Sequence, residues 1–138
     1  MQIKKIEVYI ANDGTEFKTK EECVNYECKA IDSAINYYSD KELQDIQPID
    51  FDNMVGDPGI HNFFWFRINS ERSLKDILGA FNLNAQIPRI SIPDIICIET
   101  VDDYHRERDG YLYSMNEIIS ETEKFYEKFG YNIEVVKH

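Results

Sequence analysis

Two groups of side chains carry most of the recognition chemistry open to this chain, and they lie in different segments. The first is Trp65 and Arg67, two apart on one face of an extended stretch, with Tyr104, His105, Arg106, Arg108 and Tyr111 further along. Indole and phenol rings stack on flat bases and guanidinium forks grip phosphates bidentately, so this set fits a nucleotide-like ligand if folding brings residue 67 to residues 104 to 111. The second is a run of carboxylates, Asp40, Glu42, Asp45, Asp50, Asp52 and Asp57, whose field fits a basic protein surface. Each has a plainer reading. Trp65 serves equally as core, Arg106 and Arg108 can pair with Glu107 and Asp109, and acidic surface usually serves solubility.

Bond-making chemistry has thinner support. The chain has six glycines and contains no G-x-S-x-G, no glycine-rich phosphate loop and no H-E-x-x-H. Asp102, Asp103 and His105 are close enough for part of a metal site, but three loop residues in a charged run are more often simply solvated. Asp50 and Asp52 can point the same way on an extended chain, yet acid–base catalysis also needs an enclosed pocket. The expectation is therefore a protein that is not an enzyme, with no catalytic residues, no metal and no cofactor.

Composition narrows the partners. Net charge is −11 from 26 acids against 15 bases, which disfavours direct binding of nucleic acid, since phosphate contacts need Lys and Arg. The charge is uneven: residues 21 to 60 hold ten acids against Lys29 and Lys41, leaving −8 there and −3 elsewhere. Eighteen aromatics, nine of them Tyr, give ample area for a core and an interface, with Tyr37, Tyr38, Tyr104, Tyr111 and Tyr113 as candidates for exposure, and a homodimer is a fair expectation. Cys23, Cys28 and Cys97 form no C-x-x-C and read as small buried hydrophobes in a reducing cytosol. With no apolar run near membrane-span length, the expected location is the cytoplasm, without a membrane partner.

The elements that must position these side chains can be read from periodicity. Ile6, Val8 and Ile10 alternate before Asp13-Gly14, which predicts a two-residue hairpin turn with Phe17 opening the return strand. Thr19 with Glu22 is a capping box opening a helix over about 20 to 38, with Cys23, Ala30, Ile31, Ala34, Ile35 and Tyr38 on its apolar side. Ser39 with Glu42 predicts a short second helix to about Ile46, and residues 47 to 60 read as one long acidic loop. Residues 61 to 68 read as a strand with Phe64, Phe66 and Ile68 on one face. Ser73 with Asp76 predicts the cap of a helix striped by Leu74, Ile77, Leu78 and Phe81. Residues 94 to 101 form the candidate central strand, and 111 to 113 the next. Ser114 with Glu117 caps a helix with Ile118, Ile119, Thr122, Phe125 and Tyr126 on its face, stopping at Gly130, and 131 to 136 read as a last strand.

The order predicts one α+β domain over residues 1 to 138, with helices packed on one face of a mostly antiparallel sheet of five to six strands, opened by a hairpin–helix module over 1 to 38. That module carries Tyr9, Asp13, Gly14, Phe17, Cys23, Tyr26 and Glu27 in the pattern Tyr-x-x-x-Asp-Gly-x-x-Phe-x-x-x-x-x-Cys-x-x-Tyr-Glu. The pattern resembles the N-terminal module of many small phage and prophage proteins, in which Ala often stands at the position of Cys23 and His at that of Tyr26. It covers about the first fifth of the chain, and no site residue carries over from it. The resemblance implies a phage or mobile-element origin and, with it, a role against host antiviral defence of the anti-CRISPR or anti-Thoeris kind. The leading expectation is an inhibitor that binds a basic, nucleic-acid-handling host defence protein through the acidic segment from Asp40 to Asp57. The alternative is a protein that sequesters a cyclic nucleotide or ADP-ribose-derived immune signal through the Trp65 and Arg67 set. A phage structural or assembly role is the third.

Overall fold

A computed structural model describes residues 1–44, 46–48, 61–101 and 111–138, with His61 and Val101 described by their backbone alone. The fold is α+β. Strands β1 (Tyr9–Ile10) and β2 (Glu16–Phe17) form a hairpin, and helix α1 (Lys20–Tyr38) follows, with a 3-10 turn at Lys41–Leu43 after it. Strand β3 (His61–Ile68), helix α2 (Glu71–Ala80), a 3-10 stretch (Asn84–Arg89), strand β4 (Asp94–Val101), strand β5 (Tyr111–Ser114) and helix α3 (Met115–Glu127) complete the order.

The larger sheet is antiparallel in the order β3-β4-β5, so β4 is its centre as its apolar run predicts. Phe66 faces Ile96, and Phe64 faces Ile98, which in turn faces Leu112. Against this face α2 lays the predicted stripe of Leu74, Ile77, Leu78 and Phe81, all buried, and Ile31, Ile35 and Tyr38 of α1 pack at its margin. Phe66, Ile68, Ile77, Leu78, Ile96 and Ile98 are wholly sealed from solvent. Non-directional burial of these large side chains is the main force holding the sheet to its helices.

Five strands are seen among the described residues, and they divide into two sheets rather than joining in one. The hairpin stays separate because α1 packs on it directly: Phe17 stacks against Tyr26 with ring centroids 5.1 Å apart. Its turn also differs from the expected two-residue form. Ala11 N–H donates to Thr15 O at 2.8 Å and Gly14 N–H to Ala11 O at 2.9 Å, enclosing three residues, and only Gly14 takes positive φ, at +91°. A glycine at the left-handed position of a three-residue loop meets the same steric need as one in the shorter turn. The side chains of Ile6, Val8 and Ile10 are exposed rather than packed.

Thr19 accepts from Glu22 N–H and Ser114 from Glu117 N–H, as the capping pattern predicts. Helix α2, however, is capped by Ser70, which accepts from Ser73 N–H, one turn before the expected Ser73 cap. The second short helix shrinks to one 3-10 turn whose cap is Asp40, accepting from Glu42 N–H at 2.9 Å, instead of Ser39. Ala30 is exposed, and the outer half of the α3 face leaves the core, with Phe125 and Tyr126 exposed. Residues 131 to 136 form no strand, because no described strand lies beside them, and Tyr131, Ile133 and Val135 are exposed. No described helix is long and apolar enough to cross a membrane.

Candidate functional site

The two sequence-predicted groups meet at one ion pair. Asp40, from the acidic run, pairs with Arg67, from the nucleotide-like set, and its backbone N–H donates to Trp65 O at 2.8 Å. The chain leaving α1 thus runs beside β3 and neutralises its arginine. Trp65 is buried, 3% exposed, and its indole N–H donates to Ile46 O at 2.7 Å, so its ring faces are sealed instead of offered for stacking. Tyr111 is exposed, while Tyr104, His105, Arg106 and Arg108 lie outside the described residues, as does any convergence of theirs with Arg67. Of the acids, Glu42 is exposed on the 3-10 turn, and Asp45, Asp50, Asp52 and Asp57 lie outside the described residues.

Elsewhere the fold builds a groove of about 1000 Å³ to which no described member of either group contributes. It runs between α1 and α2, with the hairpin turn along part of its wall. Its small-residue lining comes from Ala30 and Ala34 of α1 and from Gly79 and Ala80 of α2. Small side chains on both helices leave an open seam where larger ones would interdigitate. The space from Tyr26 to Tyr37 corresponds to about 16 Å of helix, enough for roughly three helical turns of a bound segment.

The walls are tyrosine and carboxylate. Tyr26 donates to Asp13 Oδ2 at 2.5 Å, Asn12 N–H donates to Glu27 Oε1 at 2.9 Å, and these bonds fasten the hairpin turn to α1. The Tyr26 hydrogen bond, with those from Thr15, holds the Asp13 carboxyl below its ordinary pKa. On the other side Tyr38 donates to Asp76 Oδ2 at 2.6 Å, tying the last turn of α1 to α2, and this bond raises the Tyr38 pKa. Tyr37 is 82% exposed and meets Tyr38 edge-on, with centroids 4.6 Å apart. Among the described lining residues Asp13, Glu27 and Asp76 stand against the single cation Arg72, a net negative wall. They include no histidine, lysine or cysteine, so what the lining offers is contact area and charge.

Tyr37 and Tyr38 are legible in the sequence as surface tyrosines, but the groove itself is not. Its signal is weak: the Ala30-x-x-x-Ala34 spacing and the Gly79-Ala80 pair acquire meaning only when two helices some forty-five positions apart are placed together. Among the described residues no group of three His, Cys, Asp or Glu side chains could hold a metal ion, and Asp102, Asp103 and His105 lie outside them. In comparisons with protein-family models, curated proteins and solved structures, nothing matches this chain, and the groove is read from its own chemistry.

Proposed function

We propose that this chain is a non-enzymatic binding protein that docks a basic segment of a host defence protein in the groove between α1 and α2 and blocks that protein by occlusion. The observation that carries the reading is the groove's make-up: a floor of small residues, rims of Tyr26, Tyr37 and Tyr38, and, among the described lining residues, three carboxylates against one arginine. A lysine- or arginine-bearing helix fits there because its aliphatic stems cover the small-residue floor while its charges reach Asp13, Glu27 and Asp76. Tyrosine adds wide contact area at little rotamer cost. The chain's overall charge of −11 steers such a partner toward it at long range.

The docking surface then lies away from the acidic run that begins at Asp40, since Arg67 already occupies Asp40. Glu42 and the acids after it then contribute to steering. The nucleotide-sequestering alternative finds less support, with Trp65 buried and Arg67 engaged. The phage origin and anti-defence setting rest on the N-terminal pattern alone.

The test is affinity capture from natural host lysate with the wild-type chain and with Ala30→Trp as parallel baits, washed at low and at high salt. Ala30 is an exposed floor residue, so an indole there fills the groove without entering the core. A basic partner held by the wild type at low salt, released at high salt and lost by Ala30→Trp supports the reading. Equal capture by both baits would overturn it.

A further inference from the structure

Residues 3 to 10 form a second unexplained feature, independent of the groove. Ile6, Val8 and Ile10 alternate with Lys5, Glu7 and Tyr9, the pattern of a strand, and the structure leaves them uncovered: Ile3 is 82% exposed, Ile6 76%, Val8 49% and Ile10 62%. Among the described residues only Tyr9–Ile10 of this segment is paired, with β2 along one edge. Among the described residues the other edge of β1 has no strand partner, and residues 2 to 8 make no backbone hydrogen bond. A two-stranded hairpin with an open, apolar edge is a template for another strand.

We infer that this edge pairs with the same edge of a second copy of this chain, antiparallel about a two-fold axis at Ile6. Charge selects the register. Centring on Ile6 sets Lys5 opposite Glu7 of the second copy and Glu7 opposite its Lys5, while Ile6 meets Ile6 and Ile3 meets Tyr9. Centring on Glu7 opposes two carboxylates, and centring on Lys5 opposes two ammonium groups, both unfavourable for directly facing residues. Centring on Val8 leaves Lys5 opposite Ala11, which is already buried at the start of the hairpin loop. Tyr9 donates to Glu7 Oε2 at 3.0 Å within one copy, and the carboxylate keeps acceptor capacity for Lys5 of the other.

The pairing joins two hairpins into a four-stranded ribbon. Ala11, Asn12 and Asp13 follow β1 directly and line the groove, so the dimer carries two grooves on one ribbon. A single strand pair lies near the lower end of specific interface sizes, roughly 1,200 Å², so the dimer forms reversibly as concentration rises.

Sedimentation velocity across a concentration series tests this on the intact chain. The wild type is expected to pass from monomer to dimer, with the alternate amides of Lys4, Ile6 and Val8, which point to the free edge, becoming slower to exchange as the dimer fills. Lys5→Glu alone and Glu7→Lys alone each create two like-charge oppositions per dimer and weaken association by about tenfold or more. Combining them restores the opposite-charge pairs and returns association to within about threefold of wild type. All three variants sit on exposed positions, and unchanged far-ultraviolet circular dichroism checks that they fold. A wild type that stays monomeric throughout overturns the inference, as does a double variant no tighter than the single ones. So does a dimer dispersed by Ile133→Asp in the exposed C-terminal segment but untouched by Lys5→Glu.

Discussion

The two sides of α2 show how one helix serves stability and recognition separately. Toward the sheet it presents Leu74, Ile77 and Leu78, which are sealed from solvent against Phe66, Ile68, Ile96 and Ile98. Toward α1 it presents Arg72, Asp76 and Gly79, which line an open groove. On the first side side-chain volume is used up by packing. On the second, small residues leave space and polar residues edge it. The groove is therefore a feature the core can hold rigidly without being altered by what fills it.

The largest effect is expected on the sealed side. Phe66→Ala removes a ring that is 0% exposed, and a loss of about 3–5 kcal/mol should appear as a lower urea midpoint with an unchanged slope. Next comes the polar clasp at the far end of the sheet. Asp94 is buried and accepts from Ser114 Oγ at 2.5 Å, Asn116 N–H at 3.0 Å and Ile95 N–H at 2.8 Å, joining β4 to the start of α3. Asp94→Ala strands the Ser114 hydroxyl and the Asn116 amide, and thermal or urea unfolding should show a loss of about 2 kcal/mol.

On the groove side the sign reverses. A Cβ built on Gly79 has its nearest neighbour, Asn84 Oδ1, at 3.6 Å, an ordinary contact. Gly79→Ala should therefore raise stability by about 0.5–1 kcal/mol through helix propensity while narrowing the groove. A loss of stability instead would mean that α1 and α2 lie closer than the groove requires.

The smallest expected effect is electrostatic. Asp13 has its pKa lowered from 3.8, chiefly by the Tyr26 hydroxyl and then by Thr15. A folded-state pKa below the unfolded one stabilises the fold above pH 3.8, and that contribution fades as pH falls through the lower folded value. Tyr26→Phe should move the Asp13 carboxyl back upward in an NMR titration and leave the rest of the pH profile alone. An unmoved Asp13 would show that Thr15 alone holds it.

Much of the sealed side was legible in the sequence. The aromatic run 61 to 68, the apolar run 94 to 101 and the stripe Leu74, Ile77, Leu78 and Phe81 declare their elements because each buries a regular face. The α2 start is one turn earlier than its pattern predicts because Ser70 and Ser73 are equally good caps by type, and only Ser73 is followed by a carboxylate at the third position. The strand expected at 131 to 136 shows the other limit. Alternation in Tyr131, Ile133 and Val135 specifies a strand only where an edge lies beside it, and a neighbour is a tertiary fact. Asp40 was legible as an acid and Arg67 as a base, but not as partners, since 27 positions separate them. The groove was least legible, because a space is defined by residues that are small.

If the α1–α2 groove is the docking surface, its occupancy is read by comparing Ala30→Trp with wild type in partner binding and in stability together. Ala30→Trp should change stability by no more than about 0.5 kcal/mol, as for other exposed positions, and lose the captured basic partner, while Glu42→Lys on the neighbouring 3-10 turn keeps it. Full binding by Ala30→Trp, with binding lost instead in Glu42→Lys, would rule out the groove and return the docking surface to the acidic run after α1.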